Sequence, residues 1–492
     1  MEKYLNDAII GNKNMLATFS SKGEMLRLSY PNHDNRQYLK YFHTGVKVND
    51  SNIIYLHDDI NNTYIQYYDT DTNILNTEIT NTYFNLKIVQ TDFVTIKEDI
   101  LVKKYSFIND SNIEQDIKFL IHSELLSDQN NFISGMKLDN GMVQFAHDFS
   151  IATFSKLEKI FAGQINGTSN NIGSGIIGGK DYVGMSKDSG ISFDIGKLPA
   201  GHRKDIEICI YIDENKKTMH DFMDEVERIR KIDFNKELND TKAYWRKYVK
   251  EHDGLKIKEP QNSYEEKILN VYKRSILLFP LLMNEETGGI IASPEVDEEL
   301  SQCGRYAYCW PRDAVFITQA LDILKMNKEA DKFYSEFCRI TQSKNGMWEQ
   351  RFYTDGRLAP CWGYQVDETA SVVYGVYNHY EYTKNEEFLK ENLHMCELAI
   401  TFLKKYVYDV LENTGKYAVS YDIWEENDRG IHMYSLASIF SAFDTMKKIY
   451  KALGKNVSDF ENNRLKEEKI NKNIKEIDEL MLKVKEYIEQ NL

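Results

Sequence analysis

Three short stretches set an aromatic ring beside carboxylates. The first runs from Tyr421 to Ser435, YDIWEENDRGIHMYS, and places Glu425 and Glu426 directly after Trp424. The second, Cys303 to Asp313, reads CGRYAYCWPRD, with Trp310 followed by a Pro-Arg-Asp turn. The third, Pro360 to Ala370, reads PCWGYQVDETA and sets Trp362 ahead of Asp367 and Glu368. These residue types suit sugar chemistry. A ring stacks on a sugar's apolar face, and its bulk raises a neighbouring Glu's pKa until that group donates a proton near neutral pH. Asp accepts hydrogen bonds from vicinal hydroxyls, and an adjacent Arg orients it or donates directly. Each stretch alone also has a plainer reading. Asp313 suits a helix N-cap with a surface ion pair, and Asp367 and Glu368 suit a first helical turn. Their clustering favours chemistry: four of the five Trp residues fall between 310 and 424, three of them in these stretches.

Two kinds of element must position these loops. Residues 1 to about 212 read as strands. Ile206, Ile208, Ile210 and Ile212 keep a period of two, and Ile117, Phe119 and Ile121 alternate with Lys118 and His122, with Leu120 breaking the pattern. Asn-Asp and Asn-Gly turns punctuate them, which predicts a large antiparallel sandwich. Gly173, Gly175 and Gly178 match G-x-G-x-x-G, but the segment after them is glycine-broken and strand-like, so a glycine-rich hairpin is expected rather than a phosphate site. From Lys217 to about His252 helical spacing takes over, through Phe222, Val226 and Ile229, as a linker or an edge helix of the first domain. Helices are then predicted over 264–282, 314–325, 328–342, 367–383, 386–408, 433–453 and 461–492. In the segment 433–453 one apolar stripe runs through Leu436, Ile439, Phe440, Phe443, Met446, Ile449, Tyr450 and Leu453, and Gly454 ends it.

At 492 residues the chain needs more than one core. A net charge of −15 argues against nucleic acid and anionic membranes as partners. The opening residues lack the apolar run of a signal peptide, and no stretch of eighteen apolar residues occurs, so neither secretion nor a membrane helix is expected. None of the six cysteines forms a C-x-x-C pair; reduced thiols in a cytoplasmic protein are expected, and no metal site.

WPRD at 310–313, GYQVDETA at 363–370 and WEE at 424–426, in that order, resemble the glucoamylase family, glycoside hydrolase family 15, in its bacterial and archaeal form. GGIIASPE at 288–295 and the segment Ile10 to Pro31 resemble that family's barrel entry and β-domain start. The resemblance implies an all-β domain plus an all-α domain: an N-terminal antiparallel β supersandwich over 1–213, a helical linker over 214–262 and an (α/α)6 barrel over 263–492. It implies an inverting, exo-acting hydrolase that releases glucose from the non-reducing ends of α-glucans without a cofactor. Glu425 would be the general acid, with Trp424 and Glu426 as substrate contacts beside it. Arg312 and Asp313 would hold the terminal glucose, Tyr306 and Trp310 would line its subsite, and Trp362 would pack near the acid. In one respect the chain departs from the pattern: about seven helices follow the linker where the family has twelve, and nothing after Ser438 resembles the base-bearing loop. The expectation is therefore a partial barrel with no assigned base, one that a second polypeptide completes or that belongs to a truncated or repurposed chain. The rival reading is an inactive or split glucan-binding fragment. Trehalose and α-1,6-linked glucans stand as alternative substrates.

Overall fold

The computed structural model describes residues 6–31, 33–34, 37–126, 134–138, 140–156, 160–161, 183–185, 188–296, 305–412, 419–425, 429–454 and 463–492. The glycines at 173, 175 and 178, Cys303 and Glu426 lie outside these residues. The chain divides into two units, one of residues 1–251, 262–281 and 295–304, the other of residues 252–261, 282–294 and 305–492.

The first unit is a sandwich of two antiparallel sheets. Its strands are β1 (Ala8–Gly11), β2 (Leu16–Phe19), β3 (Met25–Ser29), β4 (Leu39–Val48), β5 (Ile54–Tyr55), β6 (Asn62–Tyr68), β7 (Leu75–Asn81), β8 (Leu86–Val94) and β9 (Ile100–Asn109). There follow β10 (Gln115–Leu125), β11 (Ser134–Leu138), β12 (Gly141–Phe145), β13 (Ser150–Ser155), β14 (Ile160–Phe161), β15 (Val183–Met185), β16 (Asp188–Leu198) and β17 (Arg203–Asp213). One sheet has the order β1-β2-β3-β4-β10-β16-β14, with β5 on β4; the other runs β15-β11-β12-β13-β17-β9-β8-β7-β6. Inward side chains of both, such as Phe19, Phe42 and Phe119 from one and Ile88, Phe107 and Ile208 from the other, form a single core.

The period of two in β17 conceals a strand buried on both faces. Ile206, Ile208, Ile210 and Ile212 face the sandwich core, while Cys209 and Tyr211 join a second cluster with Phe222, Val226, Ile229 and Phe234. Those four belong to α1 (Met219–Arg230) and α2 (Phe234–Glu251), which cover the outer side of the second sheet. Thr218 caps α1 by accepting from the Asp221 amide. Leu120, which breaks the alternation of β10, packs on the outward face with Ile53 and Tyr55. Helix α3 (Ser263–Leu278) is tied to the β6–β7 turn: Asn73 donates to the Leu277 carbonyl at 2.9 Å, and Arg274 stacks 3.9 Å over Tyr68.

The second unit layers helix on helix. Helices α4 (Pro311–Ile323), α6 (Val366–Thr383) and α8 (Met433–Gly454) pack side by side in an inner layer, α6 in the middle. Outside them lie α5 (327–341), α7 (Glu386–Glu412) and α9 (Asn463–Asn491). The middle of α5, Phe333–Cys338, is a π-helical turn. In α8 the predicted stripe is buried at Leu436, Ile439, Phe443, Met446, Ile449 and Tyr450. Helix α9 buries Ile477, Leu480 and Val484 and packs against α7 and α8. Among the described residues no helix is long and apolar enough to cross a membrane.

Candidate active site

The three aromatic-carboxylate stretches all lie at the N-terminal ends of inner helices. Trp310 is the residue before α4, Gln365 the residue before α6, and Glu425 sits in the loop leading to α8. Helix N-termini carry free N–H groups and partial positive charge, so they favour carboxylates and polar ligands.

Trp310 cannot cap α4, and no side chain of its own makes a cap bond. A neighbouring helix does so instead. The Arg312 amide donates to Glu368 Oε2 at 2.7 Å, so a carboxylate in the first turn of α6 satisfies the first turn of α4. The Arg312 side chain returns the connection: Nη1 lies 3.0 Å from Asp367 Oδ2 and 2.9 Å from Glu368 Oε1, and Nη2 lies 3.1 Å from Asp313 Oδ2. Asp367 and Glu368 are fully buried. Burial pushes Glu368 well above the usual carboxylate range against the pull of Arg312, and it raises Asp367 likewise. One guanidinium thus faces two buried carboxylates and a third, Asp313, whose side chain is 42% exposed. Of the predicted terminal-subsite pair, Asp313 is the member open to solvent, while Arg312 is buried in this cluster.

Glu425 is held from two directions. Trp310 Nε1 donates to Oε1 at 2.8 Å, and Gln350 Nε2 donates to the same oxygen at 3.0 Å. Among the described residues Oε2 accepts no hydrogen bond. The Glu425 backbone has φ 57°, a left-handed conformation that a non-glycine residue adopts only when its surroundings compel it. The surroundings are visible in the loop. The Trp424 amide bonds Asp422 Oδ1 at 3.0 Å, the Glu425 amide bonds the Asp422 carbonyl at 3.2 Å, and Gln365 donates to that carbonyl at 2.6 Å. Upstream, the Gly363 Cα lies so close to the Tyr421 ring that an added Cβ would stand 2.2 Å from it.

The ring beside the acid is therefore Trp310, from 115 residues away, and not its neighbour Trp424, which is 79% exposed. Trp362 and Tyr306 are also exposed, and Tyr306 stands 6.3 Å from Trp310 between ring centroids. Two residues that the motifs did not mark complete the group. Gln350 is one. Arg351 is the other: its guanidinium lies 4.2 Å from the Trp362 ring, 4.8 Å from Tyr308 and 5.3 Å from Trp310. Burial lowers its pKa. The fifth-ranked signal among the tryptophans, Trp348, is a fully buried strut that donates to the Cys338 carbonyl at 3.0 Å. A cavity of about 620 Å³ opens beside these loops, lined by Ser343, Glu349, Tyr364, Tyr421 and Arg429 among others.

Acidic and indole side chains gathered at the N-terminal ends of layered helices, in a chain that also carries a β-sandwich, define a glycoside hydrolase. Residues 266–490 match the family model "Glycosyl hydrolases family 15", and this part of the chain belongs to that family. An uncharacterized glycosyl hydrolase of Methanocaldococcus jannaschii is 25% identical over 462 residues, 91% of this chain and 70% of that relative. A trehalase of Mycolicibacterium smegmatis is 25% identical over 173 residues, 32% of this chain and 25% of its own. Among solved structures, a bacterial glucoamylase complexed with acarbose superposes with a TM-score of 0.72 at 15% identity, over 97% of this chain and 66% of its own. At that identity the likeness is one of fold, and it gives this chain the two-part architecture of sandwich and helical domain. A second polypeptide completing the barrel finds no support in these comparisons.

Proposed function

We propose that the protein hydrolyses α-glucosidic bonds from the non-reducing end of α-glucans in the cytoplasm, with inversion, and that Glu425 is its proton donor. One observation carries this reading: Trp310 and Gln350 converge on one oxygen of Glu425 and leave the other without a partner among the described residues. A carboxyl group so held has one oxygen fixed and one presented, as protonation of a glycosidic oxygen requires. Asp313 accepts from sugar hydroxyls, Arg312 fixes its position, and Trp310, Tyr306, Trp362 and Trp424 supply stacking surfaces. Glu426 is retained as a contact on the strength of the WEE motif, and 263–492 as the catalytic domain after a β domain of 1–213 and a helical segment of 214–262. An inverting enzyme needs a second carboxylate, the base, roughly 6.5–9.5 Å from the acid, and the proposal assigns none.

The test is glucose release from maltotetraose, with trehalose and isomaltose in parallel and the product anomer followed by NMR. β-Glucose appearing first supports the proposal. Glu425→Gln is expected to lower turnover by about 10²–10⁴-fold or more while sparing sugar binding, and near-normal turnover refutes the assignment. A second reading, glucan binding without turnover, draws on the aromatic and Arg351 platform, which needs no second carboxylate. Maltodextrin binding with no release of sugar from any of the three substrates would favour it.

A further inference from the structure

The outward face of the first sheet carries a cluster for which the hydrolytic site has no use. Glu24 lies just before β3, His43 in the middle of β4, and His57 two residues past the end of β5. Strand pairing brings them together: Met25 stands opposite Phe42 across β3 and β4, and Gly45 opposite Tyr55 across β4 and β5. Side chains alternate along β4. Phe42 and Val46 enter the core, so Tyr41 and His43 face outward. His43 Nε2 is 3.2 Å from Glu24 Oε1, and the imidazole centroids of His43 and His57 are 4.5 Å apart. One donor atom from each of the three residues lies within 4.8 Å of the other two.

The surroundings hold these rings in place. Tyr41 stacks on His43 with centroids 4.6 Å apart, and Tyr55 meets it edge-on at 5.7 Å. The Tyr41 hydroxyl is 3.2 Å from His122 Nε2, which is 3.0 Å from Asp188. His122 is the cross-strand partner of His43. A histidine-rich row therefore crosses β5, β4 and β10, flanked by a carboxylate on each side.

We propose that Glu24, His43 and His57 form a binding site for a divalent transition metal, Zn²⁺ by preference. Two imidazoles and one carboxylate are a donor set that zinc favours, whereas Ca²⁺ and Mg²⁺ call for oxygen ligands throughout. Metal–ligand lengths of about 2.0–2.2 Å place tetrahedral donors roughly 3.3–3.5 Å apart. The Glu24–His43 pair already meets that spacing, and rotation of the Glu24 side chain or of the imidazole of His57 closes the rest. Three protein ligands leave a fourth position for water or a small anion. The ion would tie the β2–β3 turn to β4 and to the segment after β5, three pieces joined otherwise by few ladder hydrogen bonds at this edge.

The test uses the full chain, treated with chelator and then dialysed. ZnCl₂ is titrated by calorimetry, and CoCl₂ by the visible absorption that distinguishes four-coordinate from six-coordinate cobalt. One saturable site per chain, four-coordinate Co²⁺ absorption and a raised Tm with Zn²⁺ are expected. Glu24→Gln and His57→Gln should each weaken Zn²⁺ binding at least about tenfold, since even the groups that orient ligands are worth 10–100-fold. Both side chains are only half-buried, and the circular dichroism of each variant confirms that it folds. His220→Gln removes a histidine whose side chain is 84% exposed on α1 and should change nothing. Absence of saturable binding, Ca²⁺ binding tighter than Zn²⁺, or Zn²⁺ affinity unaltered in both ligand variants would overturn the proposal.

Discussion

Replacing Arg312 by Met removes the one cation that faces Asp367 and Glu368. Met roughly fills the stem's volume, so the change isolates the charge. Both carboxylates have no exposed surface, and no other cation is bonded to either among the described residues. Breaking a buried pair by removing one partner costs about 3–5 kcal/mol, because the remaining charge stays in a poorly polarisable medium. The amide of residue 312 still donates to Glu368, so the helix cap persists and the loss is not one of capping. The cost must also depend on pH in a definite direction. Burial raises both acids in the folded state, and without Arg312 nothing draws them back. The folded variant then holds more protons than the unfolded chain, so its stability falls as pH rises above the unfolded carboxylate range near 4. Urea unfolding of wild type and Arg312→Met at pH 4.5 and 7.5 measures this. The difference should be about 3–5 kcal/mol at pH 7.5 and clearly smaller at pH 4.5. A loss below about 1 kcal/mol at pH 7.5, or equal losses at both pH values, would refute the electrostatic account.

Two further outcomes are open to measurement. His379 is buried in α6 with Asp322 2.7 Å from Nδ1 and Asp331 3.0 Å from Nε2; burial opposes its charge, but the two carboxylates outweigh it and hold the pKa up to about 9. A histidine raised above its unfolded value near 6.5 contributes stability that is complete below that pH and disappears as pH rises through about 9. The stability gap between wild type and His379→Gln should therefore shrink between pH 6 and pH 10 in urea titrations, and a constant gap would contradict the assignment. Gly363→Ala places a methyl 2.2 Å from the Tyr421 ring, so the loop carrying Glu425 must shift. A destabilisation of about 1–3 kcal/mol is expected, with a fall in kcat on maltotetraose larger than any rise in KM. Wild-type kcat would show that the contact yields without moving the acid.

Patterns with a short period were legible, and convergences over long range were not. The stripe in 433–454 told which face of α8 is buried because eight apolar positions at helical spacing admit one solution. The isoleucines of β17 told of a strand but not that its other face is buried too, because Cys209 and Tyr211 are ambiguous residue types whose burial depends on α1 arriving over them. At the site, the motifs found Glu425, Trp310 and Asp313. They paired Glu425 with the wrong indole, since adjacency in sequence says little about direction in a loop whose backbone turns left-handed at that residue. Gln350 and Arg351 carry no local signal: each gains meaning only from partners on other loops. Glu24, His43 and His57 were invisible for the same reason, being spaced by strand pairing and not by any short motif.

The π-helical turn at Phe333–Cys338 has a meaning for how this helix could vary. A turn of that kind accommodates one residue more than an ordinary helix would, without lengthening a loop. Deleting a single residue there would restore a regular ladder and swing everything after it by about 100° around the helix axis, since each residue advances a helix by that angle. The Cys338 carbonyl would no longer meet the Trp348 indole, and Thr341, which bonds back to Phe337 at 2.7 Å, would leave its buried position. The loop that runs from there to Gln350 and Arg351 would start from a different side of α5. A one-residue indel in the outer layer is thus a means of re-aiming two side chains on the sugar-facing side, with no substitution among the residues that touch the acid.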